Sequence, residues 1–346
     1  MTSPGARPTS LFFVASPLHY LVARTVARHF EAGSRCILVC YRDKVGKLVQ
    51  PADWDQVIYA PWPRFDPLPG RFGSHRRLLD NLRKVAAAVG KVEEVRLHSP
   101  VFDTEAVNYF LRGLPRLCGA KRMFARILPD GLLNIQRYPL SLPKLIAQHF
   151  RRLRRLVSPE LDYSCFSGDR IGSDAPFVDR IYTLPGFPHP YPASKVVELP
   201  PLTEGAGDTP ARRDPTHALV VGQPLIGIGM LDAEGLVEIT GRIAGWLAEK
   251  GFTRIDYKAH PRDPNHEFRV PGSTLLDIDE PLETYIAHQD YAAIVGVNST
   301  TMFIARQICG PDVPIVSFGM DRLYFKIEGE EERTLKLMKM LSIQVL

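Results

Sequence analysis

The sequence predicts an α/β protein built from two doubly wound, mostly parallel sheets that face each other across a central cleft. Three observations carry this prediction. Strand-like apolar runs alternate with segments of helical periodicity along most of the chain, as repeated βαβ units require. The alternation breaks off near residue 157 and resumes near 216, on either side of a stretch, 185–215, rich in Pro, Gly and Asp. The chain has 346 residues, 45% hydrophobic and 23% charged. That is enough for two cores of ordinary size and too apolar for disorder.

The elements follow in order. Ser10–Ala15 is a short apolar run read as the first strand, and Leu18–Phe30 has helical periodicity. Cys36–Tyr41 and Gln56–Ala60 read as strands, Leu78–Val89 as a helix, Glu94–His98 as a strand, Glu105–Leu111 as a helix and Arg122–Leu128 as a strand. Leu142–Leu156 is helical, and Val178–Leu184 adds one strand more. Beyond the linker come strand Ala218–Val221, helix Glu234–Lys250 and strand Arg254–Lys258. Strand Leu275–Ile278, helix Leu282–His288, strand Ala292–Val297, helix Thr300–Cys309 and strand Pro314–Phe318 follow, with a charged helix near Glu331–Leu341. The expected domains are 1–200 with a linker to about 215, then 216–330. The closing helix, 331–346, is free to pack back on the first domain.

Composition narrows the function classes. No stretch approaches the roughly 20 uninterrupted apolar residues of a membrane span. The run Leu11–Ala15 is too short for a signal-peptide core, so a cytoplasmic protein is expected. Five cysteines without a CxxC pair read as reduced thiols rather than a disulfide framework or zinc site. The net charge of +5 is partly concentrated in the helix carrying Arg151, Arg152, Arg154 and Arg155. Those residues read either as a solvated face or as a contact with anionic lipid or an anionic acceptor. Nucleic acid is not expected, since no aromatic stacking pattern accompanies them.

Ligands in open α/β sheets bind beyond the carboxyl ends of the strands, which draws attention to the residues there. Asp130-Gly131 follows the strand Arg122–Leu128; it is either a plain turn or a carboxylate placed to accept a proton from a hydroxyl. His260-Pro261 follows Arg254–Lys258, where the proline stops the strand and aims the chain. That histidine is either a loop residue or a donor to a phosphate. Asn298-Ser299-Thr300 precedes an apolar helix. It reads as an N-cap, and equally as a phosphate site made of helix-start N–H groups and hydroxyls. Gly222-Gln223 begins a glycine-bordered turn. The nearby Gly227-Ile228-Gly229 lacks the third glycine and the acidic residue of an NAD site, so NAD binding is rejected. Asp277-Ile278-Asp279 is either a metal-holding triplet or a helix-start charge. No resident metal is expected.

In this order, Asp130-Gly131, His260-Pro261, Glu283 and Ser299-Thr300 resemble the bacterial sialyltransferases of the lipooligosaccharide and capsule-polysialyltransferase type. Those enzymes share a D/E-D/E-G motif in the first domain and H-P and S-S/T motifs in the second. Val221-Gly222-Gln223-Pro224-Leu225 and Ala15-Ser16-Pro17-Leu18-His19 also look like that group. The likeness spans most of the chain and is densest over about 216–320. Pro129 stands where the first acidic residue of D/E-D/E-G is found.

The resemblance implies a GT-B architecture and inverting, metal-independent transfer of a nonulosonic acid from a CMP-sugar, with no cofactor. On it, Asp130 is the general base and His260 stabilises the departing CMP phosphate, which Ser299 and Thr300 bind. Glu283 holds the ribose hydroxyls, while Gly222, Gln223, Pro261 and Asn298 complete the nucleotide side. Ser16, His19 and Gly131 are the acceptor-side candidates. The expected activity is transfer of sialic acid to a bacterial surface glycan: lipooligosaccharide, O-antigen or capsule. Alternatives are Kdo, legionaminic or pseudaminic acid transfer, a UDP-sugar donor, or an inactive nucleotide-binding assembly protein.

Overall fold

A computed structural model of the chain describes residues 7–131, 137–202, 213–278, 280–326 and 328–346, with Lys44 described by its backbone alone. The chain divides into two compact units, Met1–Leu202 and Thr203–Leu346.

The first unit runs β1 (Thr9–Val14), α1 (Pro17–Phe30), β2 (Arg35–Cys40), α2 (Asp43–Gly46), β3 (Gln56–Tyr59), α3 (Gly73–Val89) and β4 (Glu94–Ser99). It continues with α4 (Glu105–Asn108), α5 (Phe110–Cys118), β5 (Arg122–Ile127), α6 (Leu142–Leu153), β6 (Val178–Thr183) and β7 (Val196–Glu198). The strands form one parallel sheet in the order β3-β2-β1-β4-β5-β6-β7. Leu11, Ile37, Val39, Val95, Leu97 and Ile127 fill its core without a polar break, as strands covered on both faces do. α3 adds Leu78, Leu82, Val85 and Val89, one helix face, to the same core.

The second unit runs β8 (Asp214–Val221), α7 (Ala233–Glu249), β9 (Arg254–Lys258), β10 (Thr274–Leu275), α8 (Leu282–Ala287) and β11 (Tyr291–Gly296). After these come α9 (Thr300–Cys309), β12 (Ile315–Ser317), α10 (Glu330–Met340) and β13 (Gln344–Val345). They form a second parallel sheet, β10-β9-β8-β11-β12-β13. In both sheets the first strand is central and the order reverses beside it, between β1 and β4 and between β8 and β11. These reversals are the switch points where such sheets open a crevice.

Three details depart from the sequence reading. The stretch taken as linker contributes β7, and Tyr191, Leu199 and Leu202 are buried, so the first unit extends to Leu202. The strand expected at Leu275–Ile278 is only Thr274–Leu275. The closing helix α10, expected to be free to return to the first domain, counts with the second unit. It leads into β13, which pairs with β12. All five cysteines are free thiols; four are buried and Cys165 is partly so. Among the described residues no helix is long and apolar enough to cross a membrane.

Candidate active site

The first half-site lies beyond the carboxyl ends of β1 and β5. Ser16 caps α1 by accepting the His19 N–H at 3.2 Å, and Pro17 occupies the first turn, where a missing N–H is harmless. That cap places His19 one turn into the helix with its ring turned back over the sheet. Its Nδ1 accepts the Ala15 N–H at 3.3 Å, which leaves the proton on Nε2. Nε2 lies 2.7 Å from Asp130 Oδ1. Gly131 has φ +55°, the left-handed conformation in which glycine turns the backbone without a Cβ clash. The structure thus joins Ser16, His19, Asp130 and Gly131 in one place. The His19 side chain is nearly buried, whereas the Asp130 side chain is 30% exposed. In this arrangement His19 has spent both nitrogens, one as acceptor and one as donor. Asp130, whose carboxylate can accept several hydrogen bonds, is the member able to take a further proton.

The second half-site lies beyond β9, β8 and β11, which are neighbours in the sheet. Gly222 follows β8 and donates its N–H to the Lys258 carbonyl at 2.9 Å. A Cβ here would collide with the Tyr257 hydroxyl, so only glycine lets the two strand ends approach. Tyr257 in turn donates to the Glu267 carbonyl at 2.7 Å, and the Glu267 carboxylate accepts the Ile226 N–H at 3.1 Å. Gln223 Oε1 accepts the Asn298 N–H at 2.7 Å, bridging the switch point between β8 and β11.

His260 is half-buried. Its Nδ1 accepts the Arg262 N–H at 3.1 Å, so Nε2 is the donor. Burial and, less strongly, the Arg262 charge hold its pKa below the usual 6.5, which makes the ring neutral at pH 7. Pro261 is exposed, and Asp263 pins the loop by accepting the Asn265 and Glu267 N–H groups at 3.0 and 2.6 Å.

Ser299 is the N-cap of α9, its Oγ accepting the Thr301 N–H at 3.3 Å. Asn298 therefore precedes the cap. Its Oδ1 is buried without a partner among the described residues. Thr300 opens the helix, whose first N–H groups point away from it as at any helix start. Glu283, in the first turn of α8, is 7% exposed. Burial raises its pKa, and a hydrogen bond from the Thr301 hydroxyl opposes that rise. It sits beside α9 because α8 packs on that helix.

Several residues that shape these loops were not legible from sequence: Tyr257, Asp263 and Glu267. The only signal was local, an Asp in Pro-Arg-Asp-Pro-Asn, a composition typical of turns. Asp277 is exposed, and Asp279 of the acidic triplet lies outside the described residues.

The four arginines singled out, Arg151 and Arg152 at the end of α6 and Arg154 and Arg155 in the turn after it, are ion-paired. Arg151 pairs with Asp103 and Glu105, Arg154 with Glu105 at 2.6 Å, and Arg152 and Arg155 with Asp162. All four remain partly exposed while so paired.

A family model described as Alpha-2,8-polysialyltransferase (POLYST) matches residues 195–314, the segment that holds Gly222, His260, Glu283 and Ser299. No curated protein sequence matches the chain. Among solved structures, a glycosyltransferase of kitacinnamycin is similar over 98% of this chain and 86% of its own, with a TM-score of 0.50 and 12% identity. A spinosyn rhamnosyltransferase complexed with thymidine diphosphate is similar over the same shares, with a TM-score of 0.51 and 12% identity. These likenesses establish a fold, that of GT-B glycosyltransferases with their two parallel α/β units. Together with the family match they support glycosyl transfer. The resemblance read from the motifs is thereby upheld: residues 195–314 carry the pattern of the alpha-2,8-polysialyltransferase family in a chain of GT-B fold.

Proposed function

We propose that the protein transfers sialic acid, or a related nonulosonic acid, from a CMP-sugar to a bacterial surface glycan, with inversion and without a metal. The observation that carries this reading is the family match over 195–314, within which His260-Pro261 follows β9 and Ser299-Thr300 follows β11, the two strands that flank β8. In the reaction, the acceptor oxygen attacks the anomeric carbon and its proton passes to Asp130. The bond from that carbon to the CMP phosphate oxygen breaks as the new one forms. His19 Nε2–H, 2.7 Å from Asp130 Oδ1, holds the carboxylate in place. At the other end, the neutral His260 ring offers Nε2–H to the departing phosphate. Ser299, Thr300 and the first N–H groups of α9 receive its charge. Glu283 and the Asn298 carboxamide oxygen are the acceptors available to ribose and base.

A thermal-shift panel tests the donor. CMP stabilises the protein, by about 2.7 kcal/mol at 100 times its dissociation constant, and the shift survives EDTA. A larger shift with UDP or thymidine diphosphate, the ligand of the spinosyn enzyme, would replace the CMP reading with a nucleoside-diphosphate one. On this reading the protein works at the cytoplasmic face of a membrane, with Arg151, Arg152, Arg154 and Arg155 on the side that meets anionic lipid.

A further inference from the structure

α6 is built with its polar side inward. Gln148 is 1% exposed and accepts the Phe166 N–H at 2.8 Å. Lys144 and Arg151 reach Asp103 at 3.2 and 3.4 Å, and Arg152 lies 3.4 Å from Asp162. Leu145 is the helix's apolar contribution to the core. The outer side is the reverse. Leu142, Ile146, Phe150 and Leu153 recur at spacings of four, four and three, one face of a helix, and Leu156 and Val157 continue the stripe. All six are more than half exposed, with Leu142 at 75%, Phe150 at 68% and Val157 at 81%. A single exposed leucine needs no explanation, but a stripe of six marks a contact surface. An ordinary surface helix has the opposite polarity, as α3 does.

The charge around the stripe identifies what covers it. Lys144, Arg151 and Arg152 of α6 and Arg154 and Arg155 of the turn that follows it are joined by Arg112 and Arg116 of α5, both on Asp162. Seven cations therefore share three carboxylates, Asp103, Glu105 and Asp162. The surplus is positive and is fixed beside the apolar face. A second copy of the chain would bury the stripe but bring the same surplus against itself across a two-fold axis. An anionic lipid surface meets both demands: acyl chains take the stripe and headgroup phosphates take the charge.

We propose that α6 lies flat on an anionic membrane surface, with Leu142, Ile146, Phe150, Leu153, Leu156 and Val157 inserted and the arginines alongside at headgroup level. This deepens the peripheral location proposed above and rests on it only for the anionic surface.

The test is co-sedimentation of the full chain with vesicles of equal parts phosphatidylglycerol and phosphatidylcholine, and with phosphatidylcholine alone. The parent sediments with the anionic vesicles and much less with the neutral ones or at high salt. Phe150→Ser/Leu153→Ser partitions about tenfold more weakly or worse, with an unchanged melting curve because both side chains are exposed in the parent. The CMP-induced shift is unaffected in the variant. Equal partitioning of variant and parent overturns the proposal. So does a parent that ignores vesicles but forms a dimer that the variant loses, which would assign the stripe to a second copy. Vesicle binding without a CMP shift would overturn the donor reading and leave this one standing.

Discussion

In the first domain the two candidate side chains, His19 and Asp130, are 111 residues apart in sequence and meet at 2.7 Å. In the second, His260 and Ser299 each stay on their own loop, and backbone groups do the holding: Arg262 N–H on His260, Thr301 N–H on Ser299, Asn298 N–H on Gln223. The difference teaches where each half-site is vulnerable. A site made of one side-chain pair loses its chemistry with one atom. A site made of loop backbone and a helix start keeps most of its donors when a side chain is removed.

The largest expected effect is therefore at Asp130. Asp130→Asn keeps the size and the contact with His19 but cannot take the proton, so transfer falls by about 10²–10⁴ while CMP binding is unchanged. Steady-state transfer and nucleotide melting shifts on one preparation measure both. Parental transfer by that variant would place the base elsewhere. A cycle with His19→Asn sharpens the point: if the pair works as one unit, the double variant is little worse than Asp130→Asn alone.

His260→Ala comes next, with a loss of about 10²–10³ in turnover from one missing donor to developing charge. It also carries a pH signature. Because the buried ring takes up a proton less readily than the unfolded chain, the parent loses stability as pH falls below 6.5. The variant shows a flatter acid limb in melting temperature against pH. A full acid limb in the variant would assign the loss to other groups.

Ser299→Ala/Thr300→Ala is milder, since the first N–H groups of α9 survive. It costs about 0.5–2 kcal/mol of stability through the lost cap and weakens CMP binding while leaving measurable transfer. Turnover as low as in Asp130→Asn would break the contrast between the two half-sites.

The smallest effect is at Glu283. Burial raises its pKa above 4.5, so the folded protein holds a proton that the unfolded chain has released. Its contribution to stability is present below 4.5 and is lost as pH rises through the raised value. Glu283→Gln removes that loss, flattens the profile above pH 4.5 and weakens CMP binding if the carboxylate receives the ribose hydroxyls. Chemical denaturation at several pH values reads the first effect, and the melting panel reads the second.

Much of this was determined by the sequence alone. Apolar runs such as Leu11–Val14 and Ile37–Cys40 are buried on both sides because no polar residue interrupts them, and period and length sufficed to name them strands. Arg254–Lys258 and Thr300–Cys309 have the bounds read from sequence, since Pro261 and the Ser299 cap punctuate the chain locally. Short edge strands were less legible. β7 and β13 have three and two residues, too few for a period, and form because a neighbouring strand offers a free edge.

The tertiary structure alone decided the rest. It put His19 against Asp130, which no spacing announces, because β1 and β5 lie on either side of β4 and aim their ends at the same crevice. Tyr257 became the reason for Gly222 only when β8 and β9 paired. The orientation of α6 was decided there as well. Its sequence offers both a basic side and an apolar side, and the buried carboxylates of Asp103 and Asp162 drew in the cations. A buried charge without a partner costs more than an exposed leucine stripe, so the apolar residues were left to face outward.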